Sequence, residues 1–242
     1  MKKIFLKSIK IIKSNWLFFL ILAGGLFLRA NKPYQWFMYT HDQDLAAWFI
    51  KDVVFDHHFR LIGQETSSKG IFIGPVFYYL QIPFYWLFNW DAKGSVWLPI
   101  IISVFSIWSY YFVFSKMFTK KIGLIASALF SFSYLIVFIE KEVAPTMPVM
   151  LWTVWFLYAV WLILKGKQKA YVLLGLLGGL IWDLNLALAL LSPIVVLSQM
   201  FSKKKINFKY LFIGFSIFMT LMLPFFAFEA RHQFQQTKSL VS

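Results

Sequence analysis

The feature that most constrains this chain is a series of apolar runs of about 20 residues, separated by short basic clusters. A helix of that length rises 1.5 Å per residue and crosses a hydrocarbon core of about 30 Å. Because 60% of the 242 residues are hydrophobic and only 14% are charged, a soluble domain could not bury so much apolar surface. The sequence therefore predicts an all-α polytopic membrane protein and excludes a soluble enzyme or a disordered chain.

The basic residues form four short clusters between the apolar runs and do not line one face of the chain. Although the formal net charge is +14, this distribution argues against nucleic-acid binding. Basic clusters beside membrane spans mark the cytoplasmic side, so each cluster is predicted to lie there. The absence of cysteine excludes disulfides, thiolate metal sites and cysteine nucleophiles. The clusters occupy residues 2–13, 116–121, 165–169 and 203–209.

Successive cytoplasmic clusters require an even number of crossings between them. Asp183 and Asn185 interrupt the apolar stretch 170–201, and a carboxylate at the centre of a span costs roughly 2.5–3.5 kcal/mol. We therefore predict a hairpin with residues 182–186 at its outer tip. The run 71–88, rich in proline and aromatic residues, is predicted to lie in the outer interface. About seven transmembrane helices result, with the amino terminus cytoplasmic and the carboxyl end outside: 14–30, 95–115, 122–139, 146–164, the two halves of 170–201, and 210–228.

The predicted outer side carries all ten acidic residues, which indicates a functional outer surface. Its longest part is a first extracytoplasmic loop, residues 31–94. Within this loop, residues 45–55 place apolar side chains at helical spacing and predict an amphipathic helix on the membrane. Residues 40–42 stand in the N-cap region of that helix, and the polar residues 60–69 predict a loop.

Asp42 and Asp44 form an acidic pair at the start of this amphipathic helix. A partly desolvated carboxylate can act as a general base, with or without a metal, and take a proton from an attacking hydroxyl. The alternative is a purely structural pair that caps the helix and complements its dipole. Local sequence leaves both interpretations open. Without cysteines or a helical histidine spacing, no metal site is predicted.

Further candidate residues end or interrupt apolar runs on the same side. Glu140, Glu142 and Asp183 are ionisable groups at membrane depth, which usually face a cavity or a partner. Arg231 and His232 follow the last predicted crossing. A guanidinium there can bind a lipid phosphate through two hydrogen bonds, and the alternative is an interfacial anchor.

Four segments together resemble the GT-C superfamily of integral-membrane glycosyltransferases. The nearest resemblance is to bacterial relatives of dolichyl-phosphate-mannose protein mannosyltransferases and of lipid A aminoarabinose transferases. It covers nearly the whole chain and implies one GT-C-like transmembrane domain, residues 1–242, interpreted as the amino-terminal part of a longer enzyme. The segments are HDQD at 41–44, RLIGQETSSKGIFIGPVFYYLQIPFY at 60–85, SKMFTKKIGLIASALFSFS at 115–133 and FEARHQFQQTKSL at 228–240.

The resemblance implies an inverting enzyme that moves a sugar from a polyprenyl-phosphate donor to a lipid, glycan or protein acceptor at the outer membrane face. The first-loop acid of the family is similar to Asp42, with Asp44 a close alternative, and would act as general base. The spacing of HDQD departs from the family pattern, so either aspartate fits. Arg231 is the expected phosphate partner, with Lys69 and Arg60 as alternatives. No cofactor is implied, and a divalent metal is left open.

Two other functions fit a polytopic membrane protein. A transporter or flippase for a lipid-linked sugar or small solute would need polar residues along a path to both faces. The inner half of each predicted span lacks acids, and no inverted repeat is present. A non-catalytic scaffold or inactive paralogue would be indifferent to replacement of its outer acids.

Overall fold

A computed structural model describes residues 15–202 and 204–241, and the basic cluster 2–13 therefore lies outside the described residues. The described chain is helical and contains no named strand; Glu65 and Phe72 form an isolated antiparallel bridge. The all-α prediction is confirmed. The helices are α1 Trp16–Ala30, α2 Pro33–Trp36, α3 His41–Val54, α4 Val76–Leu87, α5 Trp97–Met117, α6 Lys120–Phe132, α7 Tyr134–Ile139, α8 Val149–Leu164, α9 Ala170–Gly179, α10 Ile181–Leu184, α11 Ser192–Met200, α12 Phe208–Leu221, α13 Leu223–Arg231 and α14 Gln235–Val241, with 3-10 helices at Ala92–Val96 and Leu186–Leu191.

One described helix, Ala92–Met117, has 26 residues and is long and apolar enough to cross a membrane. The helices α12 and α13 pass the same test together, but they are bent by 50° at the break between them. The other apolar helices, such as α1 and α8, are shorter than 18 residues. The seven crossings inferred from the sequence therefore stay a prediction.

Two predicted crossings, 122–139 and 210–228, are interrupted, which corrects their description as continuous helices, whereas the stretch 170–201 breaks within the predicted tip of its hairpin. Residues 122–139 break at Ser133, whose backbone is extended with ψ of 119°. Residues 210–228 bend after Met222, because Pro224 in the first turn of α13 has no amide hydrogen to donate to the preceding turn of helix. The stretch 170–201 breaks at Asn185, which is extended and caps the following 3-10 helix by accepting from the Ala187 amide at 2.9 Å.

The predicted hairpin of residues 170–201 is confirmed by a contact between its two ends. The Tyr171 hydroxyl donates a hydrogen bond to the Gln199 side chain, so the start of α9 lies beside the end of α11. At the same end, the Gln168 side chain donates to the Lys205 carbonyl at 3.1 Å. The third and fourth basic clusters therefore lie together, as the charge pattern predicts.

Aromatic contacts show that α5 and α8 run in parallel. The Trp108 and Trp155 rings lie 6.3 Å apart, and one turn further on, Phe112 and Tyr158 lie 6.0 Å apart. Both helices thus end at the same end of the bundle, where each is followed by a basic cluster. The described parts of three basic clusters therefore share one end.

The first loop is bound to the opposite end of the bundle by backbone and side-chain hydrogen bonds. The Gln43 side chain donates to the Val143 carbonyl at 2.9 Å, in the turn between α7 and α8. The Gly74 amide donates to the Trp182 carbonyl at 3.0 Å, and the Trp182 indole donates to the Phe72 carbonyl at 2.8 Å. The loop is therefore fixed to the hairpin tip rather than free above it.

The carboxyl-terminal segment binds the same loop. The Phe72 amide donates to the Gln236 side chain at 2.8 Å. Glu229 in turn accepts from the amides of Gln236 and Thr237 at 3.0 and 2.9 Å, and so satisfies free amides at the start of α14. Glu229 is thereby a capping residue that orders the end of the described chain.

The amphipathic helix predicted at residues 45–55 is confirmed, but it begins at His41. Its N-cap is Thr40, which forms a capping box with Gln43: the Thr40 amide donates to the Gln43 side chain at 2.9 Å. Asp42 and Asp44 therefore lie inside the first turn. The apolar face is buried, with the Phe49 ring stacked on Tyr78 of α4 at 4.9 Å.

A buried ion pair joins the first helix to the turn after α7. The Arg29 guanidinium donates to Glu140 Oε2 from Nε at 2.7 Å and from a terminal nitrogen at 2.5 Å. It also donates to the carbonyls of Gly25 and Ser131 at 3.1 and 2.9 Å. Both charged side chains are 1% exposed. Burying such a pair costs desolvation energy. Replacing only one of the two residues therefore leaves the other as a buried charge without a partner.

Replacement of Glu140 by glutamine should lower the free energy of unfolding by about 3–5 kcal/mol, because Arg29 keeps its charge without a counter-ion. The double variant Arg29→Met/Glu140→Leu should lose clearly less unfolding free energy than the single variants Arg29→Met and Glu140→Leu lose in sum. Unfolding in detergent micelles, followed by circular dichroism, measures these differences.

The matched control is Asp56→Asn, which removes an exposed ion pair with Lys51 of 2.8 Å. Exposed pairs contribute at most about 1 kcal/mol, so this variant should be nearly neutral. A Glu140→Gln variant no less stable than Asp56→Asn would contradict the assignment.

Candidate active site

The two aspartates in the first turn of α3 lie in different surroundings. Asp42 Oδ1 accepts a hydrogen bond from the Gln64 side chain at 2.9 Å, and Asp42 lines two cavities. Asp44 Oδ1 accepts from the Tyr39 hydroxyl at 3.2 Å and lines neither cavity. Partial burial and this hydrogen bond raise the pKa of Tyr39, so the hydroxyl stays a donor to Asp44. The geometry favours Asp42 over Asp44 as the residue that faces a ligand.

Gln64 is held firmly enough to orient Asp42. Its carbonyl accepts from the Ile73 amide at 3.0 Å, and its own amide donates to the Tyr78 hydroxyl at 3.4 Å. Burial raises the pKa of Tyr78, so the phenol stays neutral. Gln64 is not among the residues predicted from the sequence, because a glutamine within a polar loop carries no spacing signal.

The first cavity beside Asp42, called here the acidic cavity, has a volume of about 500 Å³. It is formed where the first loop, the turn at 144–146 and the hairpin tip at 184–187 meet. Amides, hydroxyls and two carboxylates line it, and within residues 15–202 and 204–241 no lysine, arginine or histidine does so. Groups of this kind can form many hydrogen bonds with a polyhydroxylated ligand. The polar lining residues are Asp42, Gln64, Glu65, Thr66, Ser67, Ser68, Thr146 and Asn185.

The second cavity, of about 620 Å³, shares Asp42 and Gln64 with the acidic cavity and adds two basic side chains, His41 and Arg60. The Arg60 guanidinium donates to Asp52 at 3.1 Å and lies 5.4 Å from the centre of the Phe49 ring. Arg60 therefore combines a fixed position with a place at the cavity wall.

The other predicted cations lie elsewhere. Lys69 is exposed and lines neither cavity with Asp42. Arg231 and His232 are exposed at the end of α13, and the His232 ring stacks on Phe228 at 4.1 Å. Neither of them lines a cavity with Asp42. The structure therefore brings Arg60, and not these three residues, to the same cavity as the candidate base.

Asp183 lies at the tip of the hairpin, between the longer helices α9 and α11, and is 1% exposed. Its Oδ1 accepts from the Val76 amide at 3.1 Å, and so caps the start of α4. Its Oδ2 is buried and has no hydrogen-bond partner among the described residues. Burial raises the pKa of Asp183 to about 6. One carboxylate oxygen thus has a structural role, and the other has no assigned role in holding the fold.

Glu140 and Glu142 are separated by one residue but have different surroundings. Glu140 is occupied by Arg29, as described above. Glu142 is exposed and lines a third cavity of about 450 Å³ beside Lys141, whose ammonium lies 4.2 Å from the centre of the Trp36 ring. Neither glutamate lines the acidic cavity. Within residues 15–202 and 204–241, no three His, Cys, Asp or Glu side chains come together as they would around a metal ion.

A sequence profile of the dolichyl-phosphate-mannose-protein mannosyltransferase family matches residues 73–228, more than half of the chain. The chain belongs to this family. It is accordingly a membrane glycosyltransferase of the GT-C type, as the resemblance of the four segments implies. The match includes Asp183 and begins after Asp42, so the case for Asp42 rests on geometry. No curated protein and no solved structure matches the chain significantly.

The stability of this mannosyltransferase-family protein should depend on pH through Asp183. Because the pKa is raised from 3.8 to about 6, the folded chain binds the proton more tightly than the unfolded chain. The unfolding free energy of the wild type should therefore fall by up to roughly 3 kcal/mol as the pH rises from about 4 to about 6, and level off above. Asp183→Asn removes the titrating carboxyl group and with it this pH dependence. The difference in melting temperature between wild type and Asp183→Asn should therefore change as the pH rises from about 4 to about 6. A difference that stays constant across this interval contradicts the prediction.

Proposed function

We propose that this protein transfers a sugar from a polyprenyl-phosphate donor to an acceptor hydroxyl, with inversion, and that Asp42 is the general base. In this reaction Asp42 takes the proton of the acceptor hydroxyl while the oxygen of that hydroxyl attacks the anomeric carbon. The bond from that carbon to the phosphate oxygen breaks, and the polyprenyl phosphate leaves. The observation that carries the proposal is the position of Asp42 at the wall of two cavities, oriented by Gln64.

The charges around Asp42 support distinct roles for the two cavities. The acidic cavity offers hydrogen-bonding groups without a cation, which suits the sugar or the acceptor. The second cavity adds Arg60, which can neutralise the phosphate of the donor. A phosphate is a competent leaving group, so a base, a cation and positioning suffice. We therefore assign the phosphate to Arg60 in preference to Arg231 or Lys69.

The proposed orientation in the membrane follows from the separation of charge along the bundle. The described basic residues after α5, after α8 and before α12 gather at one end, and Asp42, Glu140 and Asp183 gather at the other. By the positive-inside rule the basic end is cytoplasmic, so the two cavities beside Asp42 face the outer side. The chain is then a multi-pass protein of the cell membrane.

Replacement of Asp42 by asparagine should lower the rate of sugar transfer about 100- to 10,000-fold, because the base is lost while its shape is kept. Asp44→Asn is the matched control from the same helical turn and should stay within a few-fold of wild type. The full-length protein is assayed in membranes supplied with labelled polyprenyl-phosphate sugars, by following loss of label from the donor. Full activity in both variants, at equal amounts of inserted protein, would refute the role of Asp42.

Because the chain has no cysteine, its orientation can be tested with single introduced thiols. A cysteine at exposed Ser67 should react in intact cells with a maleimide that cannot cross membranes. A cysteine at exposed Thr119, at the basic end, should react only after the cells are permeabilised. The reverse pattern would overturn the proposed orientation.

A further inference from the structure

An apolar groove lies on the side of the bundle between α4, α5, α8 and α9. It has a volume of about 420 Å³. Leu80, Phe105 and Leu176 line it and are between 42% and 49% exposed, so the groove opens at the lateral surface of the helices. In a membrane protein, this surface faces lipid chains rather than water. The groove is therefore accessible to a lipid from the side.

The acidic group in this groove is Asp183. Asp183 is 1% exposed, and in the part of the chain that the structure describes Oδ2 has no hydrogen-bond partner, although Oδ1 accepts from the Val76 amide. The other residues that line the groove are apolar apart from the indole groups of two tryptophans, Trp152 and Trp155. The Trp152 indole donates to the Leu177 carbonyl, and the Trp155 indole donates to the Ser109 hydroxyl. Neither indole is therefore available to the buried oxygen, which is left as an acceptor in apolar surroundings.

Charge limits what can lie against this oxygen. An ionised carboxylate repels a phosphate, and no lysine or arginine among the described residues lines the groove to offset the repulsion. A ligand that donates a hydrogen bond and carries no negative charge satisfies Oδ2, and a long hydrocarbon chain fills the apolar walls. These two requirements describe a lipid alcohol.

We propose that the groove binds a long-chain lipid alcohol, whose hydroxyl donates a hydrogen bond to Oδ2 of Asp183 while its hydrocarbon chain lies between α4, α5, α8 and α9. Leu184 lines both this groove and the acidic cavity, so the bound hydroxyl lies near the border between the two. This site does not depend on the proposed sugar transfer, and it is separate from the place assigned to the donor phosphate.

Photo-crosslinking tests the site with the full-length protein in phosphatidylcholine nanodiscs at about pH 8, where the carboxyl group is ionised. Three probes carry the same diazirine in a hexadecyl chain and differ in the head: an alcohol, its methyl ether and its phosphate. Mass spectrometry then measures labelling of the peptides that contain residues 76–80, 148–155 and 173–180. We expect the alcohol to label them about tenfold more than the ether, which cannot donate, and also more than the phosphate.

Asp183→Asn separates the hydrogen bond from simple apolar binding. Its carbonyl oxygen keeps the bond from Val76, and its amide donates equally to an alcohol or an ether, so the ratio of the two labels should fall to about one. Because the ratio is measured within one protein, a change in expression or folding yield does not alter it. A ratio near one in the wild type, or stronger labelling by the phosphate probe, would overturn the proposal.

A second pair of variants tests the groove itself. Leu176→Trp fills the groove and should abolish labelling by the alcohol. Leu157→Trp is the matched control, because Leu157 lies on α8 with a similar exposure of 44% but does not line the groove. Unchanged labelling in Leu176→Trp, or equal loss in both variants, would refute the assigned position.

Discussion

The position of the candidate base depends on the hydrogen bonds that fix the first loop to the rest of the helical bundle. The Gly74 amide, the Trp182 indole and the Gln43 side chain each donate to a carbonyl on the other side of this junction. In apolar surroundings, a backbone group left without a partner costs free energy, so these bonds resist exchange. If they were broken, the loop would separate from the hairpin tip and the acidic cavity would lose its walls.

Gly74 shows how closely the two segments approach. A side chain at this position would collide with the carboxylate of Asp183 and the ring of Trp182. The same approach lets the Val76 amide reach Asp183 and begin α4. A single residue of the hairpin tip therefore caps a helix of the first loop, and this helix in turn supports the face of α3 on which Asp42 is placed.

The acidic residues at this end of the bundle have the same charge but different roles, because their surroundings differ. Glu140 is neutralised by Arg29, Glu229 caps a helix, and Asp44 is bound by a tyrosine hydroxyl. Asp42 keeps one side towards open cavities, and Asp183 keeps one oxygen towards an apolar groove. Leu184 lines both the acidic cavity and the apolar groove, so the two acids lie on either side of a shared wall.

The sequence by itself determined the helical class, the membrane location and the family, because hydrophobic run length and charge clusters are properties of local segments. It also determined the hairpin at residues 170–201, since Asp183 and Asn185 cannot lie at the centre of a span at low cost. The capping region of α3 followed from Thr40 and its neighbours for the same local reason.

Tertiary structure alone decided which of the two aspartates lines the cavities. Asp42 and Asp44 are indistinguishable by spacing, and the choice between them depends on Gln64, which lies 22 residues away from Asp42 in the chain. Likewise, Arg29 pairs with Glu140 across 111 residues, and no local pattern specifies such a partner. Cavities and buried ion pairs arise where segments distant in the chain meet, so they depend on the packing of the whole bundle and not on local sequence.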